Sequence, residues 1–216
     1  MLIQTQNLTK RYGDKTVVNQ LSLSIPQGQL VALLGPNGAG KSTTIKMLTG
    51  LLSPSEGSII FQGQQLSRSD YQRQLGVVFQ DSILDQDLTV GQNLLSRAKC
   101  YRNFEASQLD FLIQVFELES ILKQSYGTLS GGQRRRVDIA RALVHQPKFL
   151  ILDEPSTGLD IQTRNVIWDA LLRLRQEQGL TILLTTHYLE EVENADYVYI
   201  IDHGHLIAAD TVSQLK

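Results

Sequence analysis

The spacing of apolar residues changes along this chain, and each change predicts a different kind of element. Leu2 to Asn7 and Val17 to Ile25 alternate apolar with polar positions, the period of a half-buried strand, with Tyr12-Gly13-Asp14-Lys15 as the turn between them. Leu30-Val31-Ala32-Leu33-Leu34 is an unbroken apolar run fit for a buried strand, and Thr44 to Thr49 continues as a helix that Gly50 can end. Ser58 to Phe61 and Gly76 to Phe79 are further short strands. From about Asp81 the pattern turns helical, over Val90 to Tyr101 and Ser107 to Leu122, and no strand follows until Phe149. Phe149 to Leu152, Thr181 to Thr185 and Tyr197 to Ile201 then read as strands. Between the first two lies Gln162 to Gln176, an amphipathic helix with Val166, Ile167, Ala170, Leu171 and Leu174 on its inner side.

Strand–helix–strand alternation predicts an α/β fold, a mostly parallel sheet with helices on both faces, preceded by antiparallel strands at the N-terminus. Residues 1–216 form one domain on this reading, with a core of 1–80 and 146–216 and a helical insertion at 81–145. A hydrophobic content of 42% against 19% charged residues suits a globular chain with a sizeable core. The formal net charge of −2 carries no footprint of a nucleic-acid binder. Cys100 is the only cysteine, which excludes an intramolecular disulfide and fits a reducing compartment. Met1 to Lys10 lacks a signal-peptide core, and runs such as Phe149 to Leu152 fall far short of the ~20 apolar residues of a membrane helix. The expectation is a soluble, cytoplasmic protein that needs another chain for any membrane span.

The chemistry concentrates first in Gly35-Pro36-Asn37-Gly38-Ala39-Gly40-Lys41-Ser42-Thr43, a full match to the phosphate-binding pattern G-x-x-x-x-G-K-[ST]. Gly35, Gly38 and Gly40 let the backbone curl and aim successive N–H groups at phosphate oxygens, and the helix beginning near Lys41 adds the positive end of its dipole. Lys41 can reach the β- and γ-phosphates, and the Ser42 hydroxyl can ligate Mg²⁺. With a strand before and a helix after, the motif predicts a P-loop core that binds a nucleoside triphosphate.

Phe149-Leu150-Ile151-Leu152-Asp153-Glu154-Pro155 ends an apolar strand in two carboxylates, at the end of a parallel sheet where ligands bind. Asp153 suits the Mg²⁺ shell, and Glu154 can polarise the water that attacks the γ-phosphate. Leu129-Ser130-Gly131-Gly132-Gln133 starts another helix, with Ser130 as its N-cap and Val137, Ala140 and Val144 on one face. This is a second anion-binding helix terminus, and one triphosphate already has its own. His203-Gly204-His205 reads as a hairpin turn rather than a metal site. Arg134-Arg135-Arg136 puts three cations in a first turn, against the helix dipole, and reads as a solvated face with a local anion or partner to offset it.

These motifs, in this order, resemble the ATP-binding cassette (ABC) ATPases over essentially the whole chain. The resemblance implies more residues. Gln80, after Val77-Val78-Phe79, looks like the glutamine that senses Mg²⁺ and the attacking water. Asp160, in Ser156-Thr157-Gly158-Leu159-Asp160, looks like the loop aspartate near the partner's phosphate loop. His187, after Leu183-Leu184-Thr185-Thr186, looks like the histidine that contacts the γ-phosphate, and Tyr12 occupies the place of the aromatic residue that stacks on adenine. In such proteins two cassettes pack head to tail on binding ATP, so Ser130, Gly131, Gly132 and Gln133 would serve the neighbouring chain's nucleotide.

Finer matches resemble the cassettes of ABC-2-type exporters, the group that includes daunorubicin-resistance ATPases. They are Leu84 to Leu94, Arg134 to Ala140 and Thr185 to Glu191. Many such members continue past the cassette, whereas this sequence stops at Lys216, soon after the strand pair near Asp202 and Leu206. The expectation is that a regulatory C-terminal domain is absent from the chain or lies outside this sequence. The resemblance implies an ATPase that drives a separate membrane permease, for export of a drug, peptide, lipid or polysaccharide, lying on the cytoplasmic face of the membrane through that permease. An importer's ATPase would share every core motif, and a non-transport ATPase of repair or translation is a further alternative. The transported substrate is chosen by the permease and is not legible in this chain.

Overall fold

The computed structural model describes residues 1–101 and 104–215; residues 102 and 103, inside the expected helical insertion, and Lys216 lie outside the described residues. The chain runs through β1 (Ile3–Tyr12), β2 (Lys15–Leu21), β3 (Ser24–Ile25) and β4 (Leu30–Leu34), then α1 (Lys41–Leu48), β5 (Glu56–Phe61), α2 (Arg68–Arg73) and β6 (Leu75–Val78). Next come α3 (Val90–Ala98), α4 (Ala106–Val115) and α5 (Gly131–Leu143). The chain returns to strands with β7 (Phe149–Asp153), followed by α6 (Ile161–Gln178), β8 (Thr181–Thr186), α7 (Leu189–Val192), β9 (Tyr197–Asp202), β10 (His205–Asp210) and α8 (Val212–Leu215).

The apolar runs without alternation become the centre of a sheet ordered β10-β9-β4-β8-β7-β6, in which every pairing but β10 with β9 is parallel. Strands buried on both faces need apolar residues at every position, which is why β4, β7 and β8 show no alternation. The period of two then sorts side chains between the faces. Leu30, Ala32, Leu150, Leu152, Ile182 and Leu184 pack toward α3, α5 and α6. Val31, Leu33, Phe149, Ile151 and Leu183 pack toward α1 and the N-terminal strands. Those strands form a second, antiparallel sheet around β1, which pairs with β2 and β3 and also with β5. At the far edge of the large sheet His203 and Gly204 both take positive φ, 46° and 79°, the turn geometry that matches strand twist in a two-residue hairpin.

Several elements differ from the sequence expectation. Val17 to Ile25 is interrupted between Leu21, where β2 ends, and Ser24, where β3 begins. Within β2, Gln20 takes φ 49° at a register shift between Leu8 and Lys10, its N–H donating to Thr9 Oγ1. The helix expected over Ser107 to Leu122 stops at Val115. Phe116 continues the buried stripe of Gln108 and Leu112 while Leu118 lies off it, and Glu117 between them takes φ 52°, a turn that buries both. Short α2 was missed; Ser67 caps it by accepting from the Asp70 N–H.

The Arg134-Arg135-Arg136 run is not a solvated face. Arg136 donates to the carbonyls of Phe116 and Glu117, satisfying the frayed end of α4, and Arg135 is buried against main-chain oxygens.

Candidate active site

β4 delivers the phosphate loop from the middle of the sheet, and α1 carries it away. Gly40, the last loop residue, has φ 104°, and a Cβ there would lie 3.0 Å from the Val17 carbonyl oxygen, so only glycine fits without displacing β2. Asn37, Gly38, Gly40, Lys41, Ser42 and Thr43 line a cavity of about 390 Å³, closed on its other sides by Val17, Gln80 and Glu154. Gly35 and Pro36 turn their carbonyls on Lys41, whose Nζ donates to them at 2.7 and 3.2 Å. Ala39 is buried beneath the loop, its carbonyl accepting from Gly204 N–H.

β7 and β8 end beside this loop. Lys41 Nζ lies 3.7 Å from Glu154 Oε1, both side chains largely buried, and His187 Nδ1 lies 3.5 Å from the same oxygen. The ammonium and the imidazole therefore converge on one carboxylate at the cavity wall. Glu154 itself has φ 47°, a left-handed conformation that costs a residue with a Cβ about 1–3 kcal/mol and persists only where neighbours hold it. Its N–H donates to both the carbonyl and the hydroxyl of Thr185. The Thr185 hydroxyl in turn donates to Asp153 Oδ1 at 2.5 Å, orienting a carboxylate that is almost wholly buried.

The remaining expected residues lie elsewhere. Tyr12 ends β1, half exposed, with Lys10 Nζ 5.3 Å from its ring centre, and it does not line the cavity. Ser130 caps α5 by accepting from Gln133 N–H, while the Gln133 side chain accepts from Ser130 N–H, so each satisfies a helix-end donor of the other. Gly131 faces open space, whereas a Cβ on Gly132 would stand 2.7 Å from Thr163 Oγ1; its smallness serves the close packing of α5 on α6 in its own chain. Asp160 caps α6, and the Thr163 N–H and hydroxyl bound to its carboxylate hold it below the usual carboxylate range. None of Ser130, Gly131, Gly132, Gln133 or Asp160 lines the phosphate-loop cavity.

Three residues near these carboxylates are not singled out by the sequence pattern. Thr185 was read only as part of a strand, although a hydroxyl inside an apolar run is a signal that it bonds something at the strand end. Arg135 reads in the sequence as part of a solvated face. Glu191, on α7 just after His187, is buried, and burial pushes its carboxyl above the ordinary value.

Comparison with known proteins places these features in context. A family model described as ABC transporter matches residues 18–157. A Nod factor export ATP-binding protein I of Burkholderia orbicola is 47% identical over 95% of this chain and 69% of its own length. The linearmycin resistance ATP-binding protein LnrL of Bacillus subtilis is 39% identical over 99% of this chain and 70% of its own. Among solved structures, an ATP binding subunit of an ABC transporter superposes with a TM-score of 0.89 at 29% identity, covering 100% of this chain and 92% of that one. The dimeric structure of MJ0796, a bacterial ABC transporter cassette, gives 0.86 at 28% identity, covering 98% of this chain and 99% of that one.

Proposed function

The chain belongs to the ABC transporter family of ATP-binding, ATP-hydrolysing subunits, and on that premise we propose that it energises export through a separate membrane permease. The export reading is supported by its likeness to proteins named for Nod factor export and linearmycin resistance. The observation that carries the catalytic reading is the meeting of Lys41, His187 and Glu154 at one carboxylate oxygen beside the phosphate-loop cavity. In this reading the loop Gly35 to Thr43 binds the phosphates of ATP, Lys41 neutralises their charge, and Tyr12 stacks on the adenine. Glu154 accepts the proton of the water that attacks the γ-phosphorus, giving ADP and phosphate. His187 stabilises the charge that builds on the transferring group.

The donors fit Mg²⁺. Ser42 and Gln80 line the cavity and Asp153 lies behind Glu154, an all-oxygen set suited to a hard cation. Among the described residues no group of three or more His, Cys, Asp and Glu could hold a metal alone, which matches a cation that reaches the protein with the nucleotide's own oxygens. When bound, it would neutralise phosphate charge.

Ser130 to Gln133 and Asp160 stand outside the cavity of their own chain, which supports a head-to-tail pair in which they close over the neighbour's ATP. A dimeric structure is described for MJ0796. We take 1–80 with 146–216 as the core and 81–145 as a helical lobe. A groove of about 220 Å³ where they meet, with Leu51, Phe79, Ile83, Arg97 and Arg141 on its walls, suits a permease segment. Among the described residues no helix is long and apolar enough to cross a membrane. In this reading a permease supplies the span, and the chain sits on its cytoplasmic side.

Sedimentation of Glu154→Gln tests the two-chain site. ATP binding should persist while hydrolysis stalls, so the protein is expected as a monomer without nucleotide and a dimer with Mg-ATP. A variant that binds ATP yet stays monomeric at saturation would overturn the pairing.

A further inference from the structure

We propose that Arg135 is a positioning residue for ATP hydrolysis: its guanidinium holds the backbone of Glu154 and the start of the Gln80 loop, and ties both to the helix that begins at Ser130. The inference rests on the role given above to Glu154.

Arg135 lies one turn into α5 and is 7% exposed. Its Nε donates to the Pro155 carbonyl at 2.9 Å, Nη1 to Phe79 at 2.6 Å, and Nη2 to Asp153 at 2.8 Å and Glu154 at 3.2 Å. All these acceptors lie just past the last rung of the β6–β7 ladder, Val78↔Leu152, where the two strands part and their carbonyls lose the ladder as a partner. A planar fork of five fixed donors can bridge two diverging chains, and no other side chain offers that geometry. Burial presses the guanidinium toward its neutral form, yet its acceptors are all main-chain dipoles rather than a carboxylate partner. The side chain is thus placed to organise backbone.

What it organises is the strained residue. Glu154 needs neighbours that hold its left-handed φ, and it has one on each side: Thr185 takes its N–H, and Arg135 takes its carbonyl. Phe79, the residue before Gln80, is held by the same guanidinium. Reaching back along α5, the side chain connects these groups to the capped N-terminus at Ser130, which in the two-chain site faces the other nucleotide. Losing the fork leaves the carboxylate present but free to drift from the geometry its chemistry needs, and a drift of an ångström is costly.

The test is steady-state ATP hydrolysis by Arg135→Met and Arg135→Lys, alone and combined with Glu154→Gln. We expect Arg135→Met to lower kcat by about tenfold or more, with KM for ATP within about twofold of the parent. Arg135→Lys, which can meet some of the carbonyls, should recover part of the rate. In the Glu154→Gln background, where there is no carboxylate base left to position, Arg135→Met should change the residual rate by less than about twofold. Equal fold losses in both backgrounds, or a folded Arg135→Met at the parental kcat, would overturn the inference. If Arg135→Met does not fold, Arg135→Lys goes through the same cycle and the same outcomes decide. Parental turnover by Glu154→Gln alone would instead remove the base that the clamp is said to position. A slow Glu154→Gln beside a fast Arg135→Met removes the clamp and leaves Glu154 in its role.

Discussion

Nδ1 of His187 stands 3.5 Å from Oε1 of Glu154, yet it is buried and makes no hydrogen bond among the described residues. The ring nitrogen thus lies close to the carboxylate without being hydrogen-bonded to it. Its neighbour Tyr188 packs on the ring with centroids 4.0 Å apart and limits its rotation. On the proposed reading His187 is a donor to the transferring group, one whose value appears as charge shifts in the transition state.

His187→Ala should therefore spare ATP binding and lower kcat on the order of a hundredfold. Lys41→Ala differs, because on the proposed reading the ammonium would neutralise the phosphates in ground and transition states alike, so affinity and turnover should both fall. Equilibrium binding of a fluorescent ATP analogue, set beside phosphate release, separates the two. Unchanged turnover in His187→Ala would remove that residue from the mechanism.

Thr185→Val tests the support beneath the carboxylates. The substitution keeps shape but withdraws the hydroxyl that donates to Asp153 and accepts from Glu154 N–H. Leaving a buried carboxylate oxygen unsatisfied costs about 1–3 kcal/mol. Urea unfolding should show the midpoint lowered with an unchanged slope, and ATP turnover should drop with it.

His145 gives the fold a pH dependence of its own. Burial lowers its pKa from 6.5 to about 4, against the favourable pull of the Leu75 carbonyl bonded to Nε2 and with Arg97 and Arg141 nearby. A depressed folded pKa means that the unfolded chain takes the proton first. Stability is therefore complete above pH 6.5 and declines as pH falls toward about 4, by roughly 3 kcal/mol over that interval. Replacing His145 by Gln should flatten this part of the stability profile; an unchanged slope between those pH values would assign the dependence to other groups.

The permease groove can be probed at Ile83, which is 67% exposed. Ser82 next to it is a poorer reporter, since its hydroxyl bonds Asp138 and accepts from Tyr126. Ile83→Cys, with exposed Cys100 replaced by Ser, should cross-link to a cysteine in a cytoplasmic loop of the permease, in yields that differ between ATP and ADP. A cysteine at exposed Ser213 should not. Failure at Ile83 with every such loop, in a complex that still transports, would move the docking surface elsewhere.

Much of this protein follows from local sequence. The loop Gly35 to Thr43 needs its glycines and lysine at fixed spacing because backbone N–H groups and one ammonium must converge on phosphate, so the motif is readable without a fold. The apolar runs of β4, β7 and β8 announce a doubly covered sheet because each position faces a packed layer. Ser130 and Gln133 reveal a helix start because a cap acts over three residues.

What the tertiary structure alone decided are contacts between positions far apart in the chain. The helix after Ser107 ends at Val115 because Phe116 and Leu118 are both buried and Arg136 receives the freed carbonyls. Gly132 answers to Thr163 rather than to open space. Arg135 looks in sequence like one cation among three in a first helical turn; only the place where β6 and β7 part, with carbonyls left over on both, turns it into a buried bridge. Helical spacing says which side of α5 a residue is on, but the unpaired oxygens that await it belong to strands 56 and 18 residues away. Hydrogen-bond demand of that kind is a property of the assembled sheet, and no local pattern carries it.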